Sequence, residues 1–455
     1  MVHFTAFHGA ANLQSSVNAK HSGTYTLAAI YGSLIFSNLF LPVLVIRWLG
    51  CKWAMCVSLI AYMPFICAQF FPSVGSLLPA GALVGLGGGP LWCAKCTYLT
   101  VAAAHFAKYN GGKAEVIVVR FFGIFFMFYQ MAQVWGNLVS SAVLTSIGDA
   151  VPDLNTTYAE NFDDNITQKI ADSCGANFYP GTTEAEVNPN LQPPEESKIH
   201  LIAGIYLSFM VLACLIIAVF VDPLSRYDKG RQGSGSGLSG FKLLAVTVKQ
   251  LGNRYQILLL PITMFIGAEQ AFIAADYNAS FVACAWGIGN IGFVMICFGV
   301  ANAIAAMVTG SIVKITGRFP VMVAAFILHG CLMVWMQIWR PGPHQPYMFC
   351  LVAALWGVAD AVWLVQINCL SGVLFPGREE ASYSNFRLWE STGSVIAFIC
   401  SPLFGVSAKL RALICLMTLG AGCYTAIEIM ERTAERRARP THKDFKPVAR
   451  EDNHQ

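Results

Sequence analysis

Charged residues are scarce in this chain. Of its 455 residues, 12% are Lys, Arg, Asp or Glu, which is about half the share in a typical soluble protein. Hydrophobic residues account for 56%, and the mean hydropathy is +0.56. So little charge excludes an ordinary soluble domain. The composition predicts instead a protein whose solvent is the lipid bilayer.

Motifs for several kinds of chemistry are also missing. The chain has no G-x-x-x-x-G-K-[ST] sequence for ATP-driven pumping, no HExxH motif and no nucleophile elbow. The sequence "GIGNIG" at 287–292 opens an apolar run and follows no strand, so it does not predict nucleotide binding. We therefore expect no enzyme activity, no cofactor, no metal and no nucleic-acid partner.

Eleven apolar runs reach the length of about twenty residues that crosses a bilayer as a helix. They are 24–46, 52–71, 77–104, 116–146, 199–221, 256–277, 287–313, 319–339, 347–372, 381–404 and 407–430. A twelfth run, at the N-terminus, is too short because polar residues begin at Asn12. We expect it to be the outer half of a first helix whose inner half is truncated in this chain. It lacks the basic start of a signal peptide.

The distribution of Lys and Arg predicts the orientation in the membrane. If the loops after every second helix and the C-terminal tail lie in the cytoplasm, that side holds 22 of the 29 basic residues. Six lie on the opposite side, and Lys95 lies within a span. Basic residues are enriched on the cytoplasmic side of membrane proteins. The C-terminus is therefore expected to be cytoplasmic.

The long connection at 147–198 is expected to be an outer, glycosylated loop. It is acidic, rich in Pro and Asn, and contains glycosylation sequons at Asn155 and Asn165. A third sequon, at Asn278, lies so near a helix end that we do not expect it to be used.

The fifteen cysteines are mostly scattered singly in apolar runs. Only Cys93 and Cys96 form a close pair, and a metal or redox site would need a second pair or a thioredoxin-like domain. Small buried hydrophobic side chains are the better interpretation. On the predicted outer face, Cys174 is a candidate to pair with Cys284.

Two halves of the chain look alike. "VIRWLGCKWAM" (45–55) and "IVKITGRFPVM" (312–322) both place a basic residue three positions before a glycine, with an offset of 267. "ALVGLGGGPLW" (82–92) and "ALWGVADAVW" (354–363) match with an offset of 272 and then 271. Near-equal offsets in the same order indicate a duplicated six-helix unit.

An all-α polytopic bundle of twelve helices in two six-helix repeats is the architecture of major facilitator transporters. In those transporters the basic, glycine-containing turn, which corresponds to 45–55 and 312–322 here, usually also carries an acidic residue. That acidic residue is absent from this chain, so the standard gating latch is not expected. We predict an N-terminal half at 1–221, a flexible cytoplasmic linker at 222–254, a C-terminal half at 255–431 and a basic tail at 432–455.

Ionisable residues at membrane depth are costly and are therefore candidates for function. Glu269 falls near the middle of its apolar run, and Asp276, seven residues on, is predicted to share its helix face. Asp360 lies at the midplane of its run with a Trp on either side. Glu269 and Asp360 are either a substrate or proton site or paired structural charges.

Three more charges lie near the inner ends of predicted spans. Lys95 is expected to extend to the inner headgroups, with a functional role as the alternative. Arg387 and Glu390 begin the 381–404 run and share a face at i,i+3. They are candidates for a structural clamp between helices or for a moving gate.

The stretches "PLWCAKCTYLT", "GAEQAFIAADYNASFV", "ALWGVADAVWLVQIN" and "SNFRLWESTGSVIAF" together resemble the UNC-93-like family, and its A-type animal members most closely. The resemblance covers nearly the whole chain. Family members begin the first helix further upstream. The positions that match the family motifs are Glu269, Gln270, Asp360, Asn385, Arg387, Trp389 and Glu390, and none is an established catalytic residue.

The resemblance implies a glycosylated multi-pass protein of the plasma membrane, or alternatively of endolysosomal membranes. It implies a regulatory partner of two-pore-domain potassium channels, whereas another branch of the family escorts innate immune receptors between compartments. Three functions therefore stay open. They are channel regulation, proton-coupled transport of a small solute through Asp360 or Glu269, and trafficking escort of membrane receptors.

Overall fold

The computed structural model describes residues 1–17, 22–110, 114–146, 172–180, 194–224, 249–375 and 379–438. In these ranges the regular secondary structure is helical throughout. Helices suit such apolar segments, because in a bilayer every backbone N–H and C=O must find a partner within the segment. The predicted all-α class is confirmed.

Among the described residues, five long helices precede the central linker: α1 (Val2–Val17), α2 (Ser22–Cys67), α3 (Val74–Asn110), α4 (Ala114–Ser146) and α5 (Glu196–Phe220). Gly50 divides α2, since its φ of 71° is a left-handed conformation that interrupts the helix. The two parts of α2 are each long and apolar enough to cross a membrane, at Ser22–Pro42 and Trp48–Phe70. The described part of the first half therefore has six long helical segments.

Six helices follow the linker: α6 (Arg254–Ala271), α7 (Ile291–Thr316), α8 (Arg318–Ile338), α9 (Pro346–Leu374), α10 (Glu379–Cys400) and α11 (Val406–Ala438). Helix α6 continues as a π-helix over Phe272–Ala283 and ends in a short α-helical turn, Cys284–Trp286. π-helical geometry is rare and frequently occurs at functional sites.

Nine helical segments in the described ranges are long and apolar enough to cross a membrane. They correspond to nine of the eleven predicted runs. The other two runs, 116–146 and 381–404, form α4 and α10, which fall outside that set of nine. The chain is a multi-pass membrane protein.

The sequence repeat has a counterpart in the helix breaks. Gly50 and Gly317 are 267 positions apart, and both interrupt the chain with positive φ, at 71° and 85°. Each one separates the second from the third helical segment of its half. Because only glycine adopts this conformation without strain, the break recurs where the glycine recurs.

Helix packing repeats as well. Gly85 of α3 lies against Ile30 of α2, and Gly357 of α9 lies against Phe298 of α7. A Cβ atom on either glycine would be only 2.1 or 2.5 Å from the facing carbonyl oxygen. Glycine at such crossings lets two membrane helices approach closely. The second and fourth segments of both halves therefore pack in the same way.

A further matched crossing was not visible in the sequence comparison. Gly136 of α4 lies against Thr5 of α1, and Gly393 of α10 lies against Met264 of α6. These crossings join the first and fifth segments of each half. The two-repeat architecture predicted from the sequence is confirmed.

Buried apolar residues form two clusters, one mainly from the first half and one mainly from the second. The halves meet where Tyr31 of α2 stacks on Phe398 of α10, with ring centroids 5.5 Å apart, and where Gly292 of α7 meets Asn137 of α4. The exact domain limits stay a prediction. Most of the linker and tail lies outside the described residues.

The predicted outer loop contacts the second half at residues 172–180. Cys174 forms a disulfide with Cys284, which confirms the predicted pairing. Beside it, Val406 donates its backbone N–H to the carbonyl oxygen of Phe178 at 3.1 Å. A loop that belongs to the first half is thus attached covalently to the end of α6.

Candidate functional site

Glu269 lies in the last turn of α6 and is 0% exposed. Its side chain faces α9, where the indole N–H of Trp356 donates to its carboxylate. Its second carboxylate oxygen, Oε1, has no hydrogen-bond donor among the described residues. A buried carboxylate oxygen without a donor is unusual, because it has lost its hydrogen bonds to water and has gained none from the protein.

His329 of α8 forms the next layer of this site. The indole N–H of Trp363 donates to His329 Nδ1 at 3.1 Å. An indole nitrogen only donates, so Nδ1 must accept and the imidazole hydrogen is on Nε2. Nε2 lies 4.0 Å from Glu269 Oε2. The ring of His329 also packs edge-on against Trp356, with centroids 4.2 Å apart.

Asp360 of α9 accepts two hydrogen bonds. Gln270 Nε2 donates to its Oδ1 at 3.0 Å, and Asn302 Nδ2 of α7 donates to its Oδ2 at 2.6 Å. Asn302 Oδ1 in turn accepts from Gln130 Nε2 of α4 at 3.0 Å. Gln130 belongs to the first half, so the buried carboxyl of Asp360 is connected through one amide to the opposite half.

Glu269 and Asp360, predicted separately, also interact with each other through their carboxyl groups. Two ionised carboxylates are acceptors only, so they form a hydrogen bond only when one of them holds a proton. The free Oε1 of Glu269 is consistent with such a shared proton. Chemically, the arrangement is suited to binding and releasing one proton inside the bundle.

The prediction that Asp276 shares a face with Glu269 is wrong. Asp276 faces α11, where Lys409 Nζ lies 2.5 Å from its Oδ1, and Ser401 Oγ donates to the same oxygen at 2.7 Å. The reason is the π-helix that begins at Phe272. Its i→i+5 bonding turns the chain less per residue than an α-helix, so the two carboxylates diverge.

Arg387 and Glu390 form an ion pair within α10, with NH1 of Arg387 2.8 Å from Oε2 of Glu390. The predicted pairing of the two residues at i,i+3 is confirmed, and their roles as a structural clamp or a moving gate stay predictions. The side chain of Arg387 is 50% exposed and that of Glu390 only 9%. Both groups lie within electrostatic range of Tyr31 and Tyr129 in the first half.

The expected extension of Lys95 toward the headgroups is also wrong. Lys95 is 7% exposed. Its Nζ lies 4.0 Å from the ring centroid of Phe125 and 4.6 Å from that of Trp92. The ammonium group is held on aromatic faces, an attraction that strengthens where water is excluded.

An acidic partner for the basic turn does exist, although the turn itself lacks one. Arg318 begins α8, directly after Gly317, and its Nε donates to Glu428 Oε1 of α11 at 2.6 Å. Tyr424 donates to the same oxygen at 2.6 Å. The expectation of a missing partner failed because Glu428 lies more than one hundred residues further along the chain.

Sequence reasoning missed several residues of these networks. Gln130, Asn302 and His329 are polar side chains inside apolar runs, and that position is the signal that could have indicated them. Lys409 and Glu428 lie at the two ends of the 407–430 run beside other charged residues, so no such signal marks them.

No group of three or more His, Cys, Asp or Glu in the described residues is placed to hold a metal. The two predicted glycosylation sites, Asn155 and Asn165, lie outside those residues. Asn278 is 0% exposed, and its amide donates to Ala274 of its own helix. A side chain buried in this way agrees with the expectation that the third sequon is unused.

Comparison with known proteins gives a consistent family match. The model of a family described as "Ion channel regulatory protein UNC-93" matches residues 14–425. Protein unc-93 homolog A of Xenopus laevis is 38% identical over 440 residues, which cover 96% of this chain and 93% of that protein. The human protein of the same name is 35% identical, with coverage of 94% and 91%.

A nematode relative, from Caenorhabditis elegans, is named "Putative potassium channel regulatory protein unc-93". It is 33% identical over 93% of this chain and 59% of its own length. Among solved structures, the nucleoside transporter NupG aligns with a TM-score of 0.59, at 12% identity, over 95% of this chain and 97% of that one. A POT family transporter aligns at 0.60, with 12% identity and 95% of both chains. At such identities the structures show a shared fold alone.

Proposed function

Because the chain belongs to the UNC-93 family, we propose that it is a non-enzymatic regulatory subunit of a potassium channel, placed in the plasma membrane with its C-terminus in the cytoplasm. The observation that carries this proposal is the family match over residues 14–425, under a description as an ion channel regulatory protein. The name of the nematode relative supports potassium as the ion.

Co-expression with a potassium channel tests this proposal. The current through the channel and the number of channels at the cell surface are measured in the same cells. We expect this chain to change the current carried per surface channel. A change in surface number with an unchanged current per channel contradicts the proposal and supports the trafficking escort instead.

A matched pair of glycine variants makes the test specific for the folded chain. A Cβ at Gly393 would lie 2.1 Å from the carbonyl oxygen of Met264, so Gly393→Leu is expected to disrupt the α6–α10 crossing and abolish the effect on current. A Cβ added at Gly310 would have no other atom within 4 Å, so Gly310→Leu is expected to retain the effect on current.

A second candidate function is proton-coupled transport of a small solute. The observation that favours it is the pair of buried carboxyl groups, Glu269 and Asp360, joined through Asn302 to Gln130 of the opposite half. In a bundle whose halves move against each other, a proton at this position would alter a bond between them. Structural stabilisation alone does not need an interaction between two acidic groups.

Vesicles that contain the purified chain test this candidate. A proton gradient is imposed, and uptake of a broad panel of solutes is measured. If the chain is a transporter, uptake of at least one solute depends on the proton gradient, and Asp360→Asn abolishes that uptake. Lys409→Arg is the control and keeps the uptake, because the ion pair of Lys409 with Asp276 lies on another face of α6. Absence of gradient-dependent uptake across the panel contradicts transport.

A further inference from the structure

His329 of α8 has one ring nitrogen with a hydrogen-bond partner and one without. Nδ1 accepts from the indole N–H of Trp363 at 3.1 Å, so the hydrogen of the neutral ring is on Nε2. Nε2 has no hydrogen-bond partner among the described residues, although His329 is fully buried. A buried donor without an acceptor costs free energy, so it calls for a physical reason.

The carboxylate of Glu269 faces this donor. Nε2 of His329 lies 4.0 Å from Oε2 of Glu269. A hydrogen bond between nitrogen and oxygen is about 2.9 Å long, so the two atoms are roughly 1 Å too far apart. The ring of His329 is held by Trp363 and packs edge-on against Trp356 and Phe265, with centroids 4.2 and 5.4 Å away. The carboxylate, on a flexible side chain, is therefore the group that can close this gap.

Trp363 also decides what His329 can do with a proton. An imidazolium carries a hydrogen on both ring nitrogens, so its Nδ1–H would point at the indole N–H of Trp363. Two donors that face each other repel, and this repulsion disfavours the charged ring. His329 is thus suited to donate a hydrogen bond to Glu269 and unsuited to accept a proton from it.

On its other side, Glu269 lies beside the carboxyl group of Asp360. Gln270, the next residue of α6, donates to Asp360 at 3.0 Å. Trp356, one turn before Asp360 on α9, donates to Glu269. A protonated Glu269 can donate its O–H to the carboxylate of Asp360, whereas two ionised carboxylates repel each other. An ionised Glu269 therefore needs a donor on the side away from Asp360, which is the side of His329.

We propose that His329 is a positioning residue for proton release, which gives its Nε2–H to the carboxylate of Glu269 when that group ionises. The protonated side chain of Glu269 bonds with Asp360, and the ionised one turns by about 1 Å toward His329. The proton passes to water, and the electron pair of the O–H bond stays on the carboxylate. This inference rests on the proton site of the second candidate function and not on channel regulation.

Ionisable groups approach Glu269 from three neighbouring helices. Among the described residues they are His329 of α8, Asp360 of α9 and Glu390 of α10. The charge of Glu390 is countered by Arg387 of its own helix at 2.8 Å. On α11, Lys409 faces α6, but its partner there is Asp276. The response of Glu269 to pH therefore depends mainly on its acidic neighbour on α9 and on the donor on α8.

Infrared spectroscopy of the purified full chain in lipid nanodiscs tests the proposal. The carbonyl stretch of protonated carboxyl groups is followed as the pH is raised, and its loss in Glu269→Gln assigns the band of Glu269. His329→Leu removes the donor, so the ionised form of Glu269 loses stability relative to the protonated form. We expect the pH at which the band is half lost to rise by at least about one unit, a tenfold change in the ratio of the two forms.

Two further variants separate the hydrogen bond from packing. His329→Gln places an amide N–H near the position of Nε2, so it should bring the midpoint back toward that of the wild type. Phe265→Leu changes the packing against the ring of His329 and leaves Nε2 in place, so its midpoint should equal that of the wild type. Thermal unfolding verifies that each variant is folded, and His329→Phe takes the place of His329→Leu if the latter does not fold.

The infrared results separate this role of His329 from the proton site on which it rests. If Glu269 titrates but loss of the His329 donor leaves its midpoint unchanged, the proposal is overturned and the proton site stands. The proposal is also overturned if Phe265→Leu raises the midpoint as much as His329→Leu does, because packing then explains the shift. If Glu269 shows no titrating band at any pH at which the wild type stays folded, the proton site is refuted together with the role of His329.

Discussion

Asn302 donates a hydrogen bond to Asp360 at 2.6 Å while it accepts one from Gln130 at 3.0 Å. A single amide of α7 thus joins a buried carboxyl of α9 to a helix of the other half. An amide has both donors and acceptors, so it can satisfy two partners that could not satisfy each other in this geometry.

Replacement of the Asn302 side chain should therefore lower the stability of the folded protein by more than the loss of one hydrogen bond. Asn302→Leu removes a partner from both Asp360 and Gln130, and each buried group left unsatisfied costs about 1–3 kcal/mol. We expect a clear fall in the thermal unfolding temperature of the purified protein. Asn368→Leu is the control, because the partner of Asn368 among the described residues is Leu364 of its own helix. Equal losses in both variants would contradict the bridging role.

The buried ion pair between Asp276 and Lys409 leads to a second prediction. Asp276→Asn leaves the ammonium of Lys409 buried without its counter-charge, and breaking a buried pair in this way costs about 3–5 kcal/mol. The double variant Asp276→Leu/Lys409→Met removes both charges and is expected to recover much of the loss. Chemical denaturation measures both. A double variant as unstable as the single one would refute the charge argument.

Close helix packing at Gly267 leads to a third prediction. An added Cβ would lie 1.8 Å from the carbonyl oxygen of Glu390, and backbone cannot move aside cheaply. Gly267→Ala should therefore reduce the yield of folded protein severalfold. Gly310→Ala, in open space, should be neutral or slightly stabilising because alanine favours helix. Size-exclusion chromatography of the detergent-extracted protein compares them.

The sequons give a fourth prediction. Asn155→Gln and Asn165→Gln should each remove one glycan and increase the gel mobility of the protein expressed in animal cells. Asn278→Gln should not, because the Asn278 side chain is buried inside its helix. Treatment with peptide N-glycosidase should abolish the differences. A mobility change in Asn278→Gln would mean that this helix is exposed during maturation.

The disulfide between Cys174 and Cys284 gives a fifth prediction, which also reports membrane orientation. Because both cysteines are 2% exposed or less, the protein is denatured before labelling, and a maleimide should then label this pair only after reduction. The signal is the labelling of the wild type minus the labelling of the Cys174→Ser/Cys284→Ser variant, so that the labelling of all other thiols cancels. If the pair is labelled without reduction, the two thiols are reduced in the cell, as cytoplasmic thiols are, and the predicted orientation of the loop is wrong.

Much of the architecture was predictable from local signals. Apolar runs of sufficient length predict spanning helices, because an unpaired backbone is not tolerated in lipid. The glycines at 50 and 317 predicted matching turns, since positive φ is a property of the residue itself. Glu269 and Asp360 were also identified as candidates, because a carboxyl group in an apolar run is conspicuous wherever the chain places it.

The sequence by itself determined that this chain is a two-repeat membrane bundle with a few buried charges. Only the tertiary structure decided how those charges pair. Asp276 forms an ion pair with Lys409, and Arg318 forms one with Glu428. Glu269 lies beside Asp360, and each pair is separated by ninety or more positions in the chain. Helical periodicity relates residues on one helix, whereas these partners depend on which helices cross and, for Asp276, on a local π-helix that no simple period anticipates.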